Sequence, residues 1–149
     1  WVLLSYSTNV SPATLMIARL LVGFAAILGH NYSPFLKFRG GKGVSTSLGV
    51  ALGVYPDLTI PAILAFGIWA AGFGVTRMSS VGSILGGISF PVLYLAILLL
   101  RGGKTADCWP FVAFTVLVAV LVVVRHKANI ARIVAGTETR VVRGGEQSK

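Results

Sequence analysis

Long apolar runs broken by short polar segments set the pattern of this chain: positions 11–28, 58–75, 81–100 and 109–124 are almost wholly apolar. A membrane-crossing helix needs about 20 such residues, with a range of about 17–25, so each run predicts a span. The first contains Arg19, a charge whose role within a span stays open between snorkelling to an interface and facing a polar interior. The second is uncharged and carries Pro61 near its start, where a helix tolerates proline. The third is uncharged and glycine-rich early, and the fourth opens on an interfacial-type Trp109 and runs into Arg125. A fifth candidate, 44–55, is short and rich in small residues (Ser45, Thr46, Ser47, Gly49, Ala51, Gly53). At about 1.5 Å per residue it barely reaches half a bilayer. With 40–43 and Pro56 it approaches a span, and its small residues suit close helix–helix contact.

Composition supports this pattern. Of 149 residues, 55% are hydrophobic and 11% charged, with a mean hydropathy of +0.84. Soluble domains carry about 25% charged residues. The expected fold class is therefore all-α, a polytopic integral membrane helix bundle with about five transmembrane helices. We read 1–149 as one membrane domain with a polar cytoplasmic tail over 136–149. Trp1-Val2-Leu3-Leu4 reads as the end of an apolar run with no charged segment before it, hence not a signal peptide but the start of a fragment lacking N-terminal helices.

Net charge is +9, and its distribution excludes a nucleic-acid partner in favour of a membrane topology, because aromatics are not interleaved with the cations. A crossing at each apolar segment puts Lys37, Arg39, Lys42, Arg77, Arg125, Lys127, Arg132, Arg140, Arg143 and Lys149 on one side. The other side holds Arg101 and Lys104 with Asp57 and Asp107. The basic side is cytoplasmic by the positive-inside rule, and the division holds only if 44–55 crosses. Cys108 is the single cysteine, so no disulfide or cysteine metal cluster forms within the chain, and it reads as a small apolar residue at a helix end.

Three polar segments on that side carry chemistry. Residues 29–46 place His30, Asn31, Lys37, Arg39, Gly40, Gly41, Lys42 and Gly43 before an apolar run. Flexible backbone, a cation and the free N–H groups of a helix start suit a phosphate. Lys42 is followed by Gly43 rather than Ser or Thr, so this is not a nucleotide-binding P-loop. A substrate phosphate and a lipid headgroup fit it equally. The second segment, Arg125-His126-Lys127-Ala128-Asn129 through Arg132 to Gly136, puts His126 and Asn129 on one helical face, with Gly136 as a stop. Alone it reads as a basic cap on the last helix, although histidine beside an amide can orient a hydroxyl. The third, Thr76-Arg77-Met78-Ser79-Ser80, reads alone as a turn with Ser79 or Ser80 as N-cap. Scarce acids and two histidines make a metal site and a paired-carboxylate mechanism poor expectations, and any reaction would rest on cations, amides, hydroxyls and backbone.

Together and in this order the segments resemble the acyl-phosphate:glycerol-3-phosphate acyltransferase family (PlsY-type). The likeness lies in Gly29-His30-Asn31, Phe35-Leu36-Lys37-Phe38-Arg39-Gly40-Gly41-Lys42-Gly43-Val44 and Thr46, then Arg77 with Ser80 and Ser83. It ends in Arg125-His126, Asn129-Ile130, Arg132 and Gly136-Thr137-Glu138, covering nearly the whole chain. The resemblance implies an enzyme that transfers an acyl group from acyl phosphate to the 1-hydroxyl of glycerol 3-phosphate, giving lysophosphatidic acid. It implies Ser80, His126 and Asn129 as catalytic residues, and Lys42, Gly40, Gly41, Gly43, His30, Asn31, Thr46 and Arg77 as substrate-binding. Glu138 would brace the site, with no metal and no cofactor. Implied partners are glycerol 3-phosphate, acyl phosphate, membrane lipids and an acyl-phosphate-forming enzyme that supplies the donor. The implied location is the plasma (inner) membrane, multi-pass, with the site on the cytoplasmic face. The chain departs from the family in lacking an earlier Ser-Gly-Asn-x-Gly-Ala-Thr-Asn motif and the helices around it, since members have about seven crossings. It also has Met78 where the family usually has an aromatic. The rival reading is a membrane transporter or binding protein for a small organic phosphate, which would spread polar groups through several spans.

Overall fold

The computed structural model describes residues 11–38, 40–103, 108–141 and 147–148. Arg39, Lys104, Asp107, Arg143, Lys149 and the opening Trp1-Val2-Leu3-Leu4 lie outside the described residues. Six helices carry the fold among those described: α1 Pro12–Asn31, α2 Val44–Gly53, α3 Thr59–Thr76, α4 Ser79–Leu100, α5 Trp109–Arg125 and α6 Lys127–Val134. A two-residue antiparallel pair, β1 Arg140–Val141 with β2 Gln147–Ser148, is the small strand element that the apolar pattern does not signal.

Helix α1 begins where expected, because Ser11 accepts the Thr14 N–H at 3.2 Å and Pro12 occupies the first helical turn. A 3-10 turn, Pro34–Leu36, leads from its end toward the glycine segment. Pro12–Leu36, α3 and α4 are each long and apolar enough to cross a membrane, and α5 with α6 makes a fourth if that pair, bent by 57°, is one span. The fifth run yields α2, a helix of ten residues. That length gives about 15 Å, half of the hydrocarbon core. The chain continues inward through buried Val54 and fully buried Leu58, with Val54, Leu58 and Ala62 each donating to the carbonyl four residues back. Between α2 and α3, Val54 and Leu58 anchor the connection in the core while Tyr55, Pro56 and Asp57 are exposed at the end of the bundle.

Close packing of α3 on α4 rests on small residues. A Cβ on Gly82 would lie 2.6 Å from the Trp69 carbonyl oxygen, and one on Gly86 3.0 Å from that of Ala65. Gly82 and Gly86 are four apart, so they form one groove on α4 into which α3 settles. The buried core, including Ile27, Leu58, Phe90, Phe111, Phe114, Val118 and Val122, runs along the inside of the bundle. Outward faces stay apolar, as at Leu21, Val22, Ile63, Leu95 and Val120, which is the signature of a lipid-facing surface.

The ends of the helices sort into two groups. The last residues of α1, α3 and α5 meet the first residues of α2 and α4. Gly41 N–H donates to the His30 carbonyl at 3.2 Å, Arg125 reaches Gly40 and Gly41, and Val141 N–H donates to the Arg77 carbonyl at 2.9 Å. The basic residues Lys37, Lys42, Arg77, Arg125, Lys127 and Arg132 gather at this end, consistent with the division of charge along the sequence. At the other end Arg19 and Asp57 line a small cavity of about 310 Å³ with Pro12, Met16, Val54 and Phe111. The charge in the first run thus lines this cavity together with Asp57, at the end of the bundle opposite the basic residues.

Candidate functional site

One cavity of about 670 Å³ opens at the basic end and extends into the bundle. Helical periodicity builds its walls. Ala62, Ala65, Phe66 and Trp69 recur at three and four residue steps along α3, so one face of that helix lines the space. Ser79, Ser80, Ser83, Gly86, Gly87 and Phe90 do the same on α4, as do Val118 and Val122 on α5. Helix α2 contributes Val44, Ser45, Ser47, Leu48 and Ala51. The mouth carries His30, Lys42, Gly43, His126, Asn129, Glu138 and Thr139, while the depth is apolar.

Glu138 organises the mouth. Helix α6 stops at Gly136, whose φ of +71° and backbone bonds (Gly136 N–H to Ile133, Thr137 N–H to Arg132) close a C-terminal cap and turn the chain back. Glu138 then lies over the start of α4. Its Oε1 accepts from Ser80 Oγ and from Asn129 Nδ2, both at 2.6 Å, and its Oε2 accepts from Arg132 Nε at 2.8 Å. Burial pushes this carboxyl upward, but the hydrogen bonds from Ser80, Asn129 and Arg132, with the Arg132 charge, outweigh it and hold the pKa at about 2. An ionised carboxylate only accepts, so Ser80 and Asn129 both donate to it. What remains for the cavity is the acceptor side of the Ser80 hydroxyl and, on Asn129, the side-chain carbonyl oxygen and the second amide N–H.

His126 sits at the break between α5 and α6, where its Nδ1 lies 2.7 Å from the Val122 carbonyl oxygen. A carbonyl only accepts, so Nδ1 carries the proton and the neutral ring keeps its lone pair on Nε2. The ring is buried among protein groups yet lines the cavity. Lys42 stands at the rim opposite. Burial lowers its pKa from the ordinary 10.5, with the Glu138 charge pulling the other way and Arg132 adding to the lowering. The mouth thus pairs a cation and the N–H groups at the start of α2 with three acceptors on α4, α5 and α6. Chemically, that combination can hold a phosphate and orient neighbouring hydroxyls.

The glycine segment is held from behind. Arg125 Nη2 donates to the carbonyls of Gly40 at 2.9 Å and Gly41 at 3.0 Å, Nε donates to Gly41 at 3.2 Å, and the guanidinium lies 5.2 Å from the Tyr32 ring centre. Gly40 and Gly41 pack directly on His30 and Asn31, leaving no room for a Cβ. Gly43 has φ +74°, and a Cβ there would lie 2.6 Å from Asn31 Oδ1. These glycines serve close packing and a left-handed turn.

Of the residues singled out in the sequence, His30, Lys42, Gly43, Ser80, His126, Asn129 and Glu138 line one cavity. Gly40, Gly41, Asn31, Thr46 and Arg77 are not among its lining residues. Gly40 and Gly41 stand behind the rim, fully buried Asn31 packs against Gly43, and Arg77 is exposed at a left-handed turn whose carbonyl receives Val141. The N-cap reading of Ser79 or Ser80 is corrected. Met78 occupies the cap position, its N–H donates to Thr76 Oγ1 at 3.2 Å, and Ser79 and Ser80 lie within the first turn, with the Ser80 hydroxyl donating to Glu138. The bend at His126 turns Arg125 and Arg132 to different tasks, so one clamps the glycine segment and the other holds Glu138. The tail expected from 136 begins as a wall of the cavity through Glu138, Thr139 and Val141. Sequence reasoning missed the clamp by Arg125 and the wall residue Ser47, although Ser47 sits one turn beyond Gly43.

Residues 2–136 match the glycerol-3-phosphate acyltransferase family. The chain is 37% identical over 147 residues to the glycerol-3-phosphate acyltransferase of Laribacter hongkongensis, covering 99% of this chain and 65% of that one. It is 43% identical over 121 residues to that of Geobacter sulfurreducens, covering 80% of this chain and 56% of the relative. Among solved structures, it resembles PlsY (YgiH), an integral membrane glycerol 3-phosphate acyltransferase in its glycerol 3-phosphate form. The TM-score is 0.68 at 32% identity, over 83% of this chain and 56% of that one. A second form of PlsY, with lysophosphatidic acid, matches with the same TM-score and identity over 57% of its length. The chain thus spans between 56% and 65% of the length of these relatives. By sequence and by fold, this chain belongs to the glycerol-3-phosphate acyltransferase family.

Proposed function

We propose that this chain forms the catalytic bundle of an enzyme that transfers an acyl group from acyl phosphate to the 1-hydroxyl of glycerol 3-phosphate, releasing lysophosphatidic acid and phosphate. The observation that carries this reading is a single cavity with a cationic, hydrogen-bonding mouth and an apolar depth. A polar acceptor and an amphiphilic donor both fit such a space, one at the mouth and the other with its chain between α2, α3, α4 and α5. Lys42 and the first N–H groups of α2 hold phosphate oxygens. His126 Nε2, Asn129 Oδ1 and Ser80 Oγ accept from the hydroxyls of the glycerol backbone and aim the 1-hydroxyl at the acyl carbon. The hydroxyl oxygen bonds to that carbon, the carbon–oxygen bond to phosphate breaks, and phosphate leaves with the bonding pair. The hydroxyl proton ends on the leaving phosphate, directly or through His126. Thr46 and Arg77 bind substrate in this reading only from outside the cavity wall, Arg77 through long-range attraction for an anion. The positive end of the bundle is the cytoplasmic face of the plasma (inner) membrane, where an acyl-phosphate-forming enzyme delivers the donor.

The test is an acyl-transfer assay in membranes containing the full-length protein that carries this chain, with Lys42→Ala and His126→Ala as variants. Each loses at least about tenfold in rate if these assignments are right. Wild-type turnover in both variants rejects the assignments. Uptake of glycerol 3-phosphate into vesicles without acylation selects transport instead.

A further inference from the structure

Ser47 is the one described buried hydroxyl with no hydrogen-bond partner. The contrast with its neighbours is specific. Thr115 is fully buried and donates to the Val112 carbonyl, Ser83 donates to Ser79, and Ser80 donates to Glu138. Ser47 is 8% exposed, and the Gly43 carbonyl four residues back already accepts the Ser47 backbone N–H at 2.8 Å. Serine in a helix normally returns its hydroxyl to such a carbonyl. A buried hydroxyl without a partner is unfavourable, and it persists where a ligand completes it. Asn31 also has unpartnered amide atoms, but it lies behind Gly43 and off the cavity wall. Ser47 lies on that wall.

Its depth identifies the ligand group. Ser47 is four residues beyond Gly43, about 6 Å further along α2. Above it stand Lys42, His126 and Asn129, and below it Ala51, Ala65 and Phe90. Ser47 therefore marks the level where the polar mouth passes into the apolar depth. A donor whose phosphate sits at the mouth and whose hydrocarbon fills the depth has one polar group at this level, its acyl carbonyl.

We propose that Ser47 Oγ donates a hydrogen bond to the carbonyl oxygen of the acyl donor, positioning the carbonyl for attack and taking up the negative charge that grows on that oxygen. The inference rests on the acyl-transfer reading above. In the step concerned, the acceptor hydroxyl oxygen bonds to the carbonyl carbon while the bond to phosphate breaks. The carbonyl oxygen gains charge as the tetrahedral arrangement forms and returns it when phosphate departs with the electron pair. A donor fixed in a protein wall stabilises that charge more than water does.

The experiment is steady-state kinetics of the full-length membrane-embedded protein, wild type against Ser47→Ala and Ser47→Thr, with acyl phosphate and glycerol 3-phosphate varied separately. We expect Ser47→Ala to lower kcat/KM for acyl phosphate by about fivefold or more, with KM for glycerol 3-phosphate within about twofold of wild type. Its melting temperature stays level or rises, because the substitution removes an unpartnered buried hydroxyl. Ser47→Thr, which keeps the hydroxyl, retains most of the activity. Unchanged kcat/KM for acyl phosphate in Ser47→Ala overturns the proposal while leaving the acyl-transfer reading intact. A loss that comes with a raised KM for glycerol 3-phosphate and a lower melting temperature assigns Ser47 to packing and also overturns it. Absence of acyl transfer by the wild type rejects the functional reading and this inference with it.

Discussion

Ser80 and Glu138 stand 58 positions apart in sequence and share a hydrogen bond of 2.6 Å. The bond fastens the segment after α6 to the first turn of α4. Because Glu138 also accepts from Asn129 and Arg132, one carboxylate fixes three side chains around the cavity mouth. Glu138→Gln keeps the shape but replaces an acceptor-only group by one that also donates. We expect acyl transfer to fall by about tenfold, and further in Glu138→Ala, as measured in a membrane assay.

The same carboxylate sets a pH dependence. Its pKa is depressed from the ordinary 4.5 to about 2 in the fold. A depressed carboxylate adds stability that is fully present above its unfolded pKa and is lost as pH falls through the folded one. Thermal melts should therefore show a decline attributable to Glu138 between pH 4.5 and about 2, and that part should vanish in Glu138→Gln.

Lys42 predicts an alkaline limit. Burial lowers its pKa below 10.5, so the empty site loses its cation at a lower pH than an exposed lysine would. A bound phosphate favours the charged form. Affinity for glycerol 3-phosphate should weaken on the alkaline side before pH 10.5, and Lys42→Arg should move that limb upward. Binding measured by calorimetry across alkaline pH checks the direction.

Arg125 forks across the carbonyls of Gly40 and Gly41 and lies against Tyr32. Arg125→Ala removes three hydrogen bonds from those half-buried carbonyls and frees the glycine segment from its clamp. We expect kcat/KM for glycerol 3-phosphate to drop by about tenfold. Arg125→Lys should recover only part of this, because an ammonium cannot reproduce the planar fork.

Two glycines of the same region should respond in opposite ways. A Cβ on Gly43 meets the Asn31 amide and φ there is +74°, whereas Gly49 on α2 has open space around its Cβ position. Gly43→Ala should destabilise the protein and abolish activity. Gly49→Ala should leave activity unchanged and stabilise α2 by up to about 1 kcal/mol, read as a rise in melting temperature.

Hydropathy alone determined the helical membrane class, the positions of the long spans and the gathering of cations at one end, because crossing a bilayer demands about 20 contiguous apolar residues. The order of three polar segments was enough to mark His126, Asn129, Ser80 and Lys42 and to suggest the family. Only the tertiary structure decided which of those residues face the cavity and what they offer it. Ser80 reads as a helix cap until Glu138 arrives from 58 residues away, and Arg125 reads as a terminal charge until it meets Gly41 across 84. The glycines that suggest an anion cradle turn out to be required by His30 and Asn31 packed against them. Burial patterns repeat with the helix and are local, so they can be read along the chain. Hydrogen-bond partners are chosen by geometry between distant segments, and Ser47, whose backbone is satisfied locally while its hydroxyl is not, is visible only once the bundle closes around it.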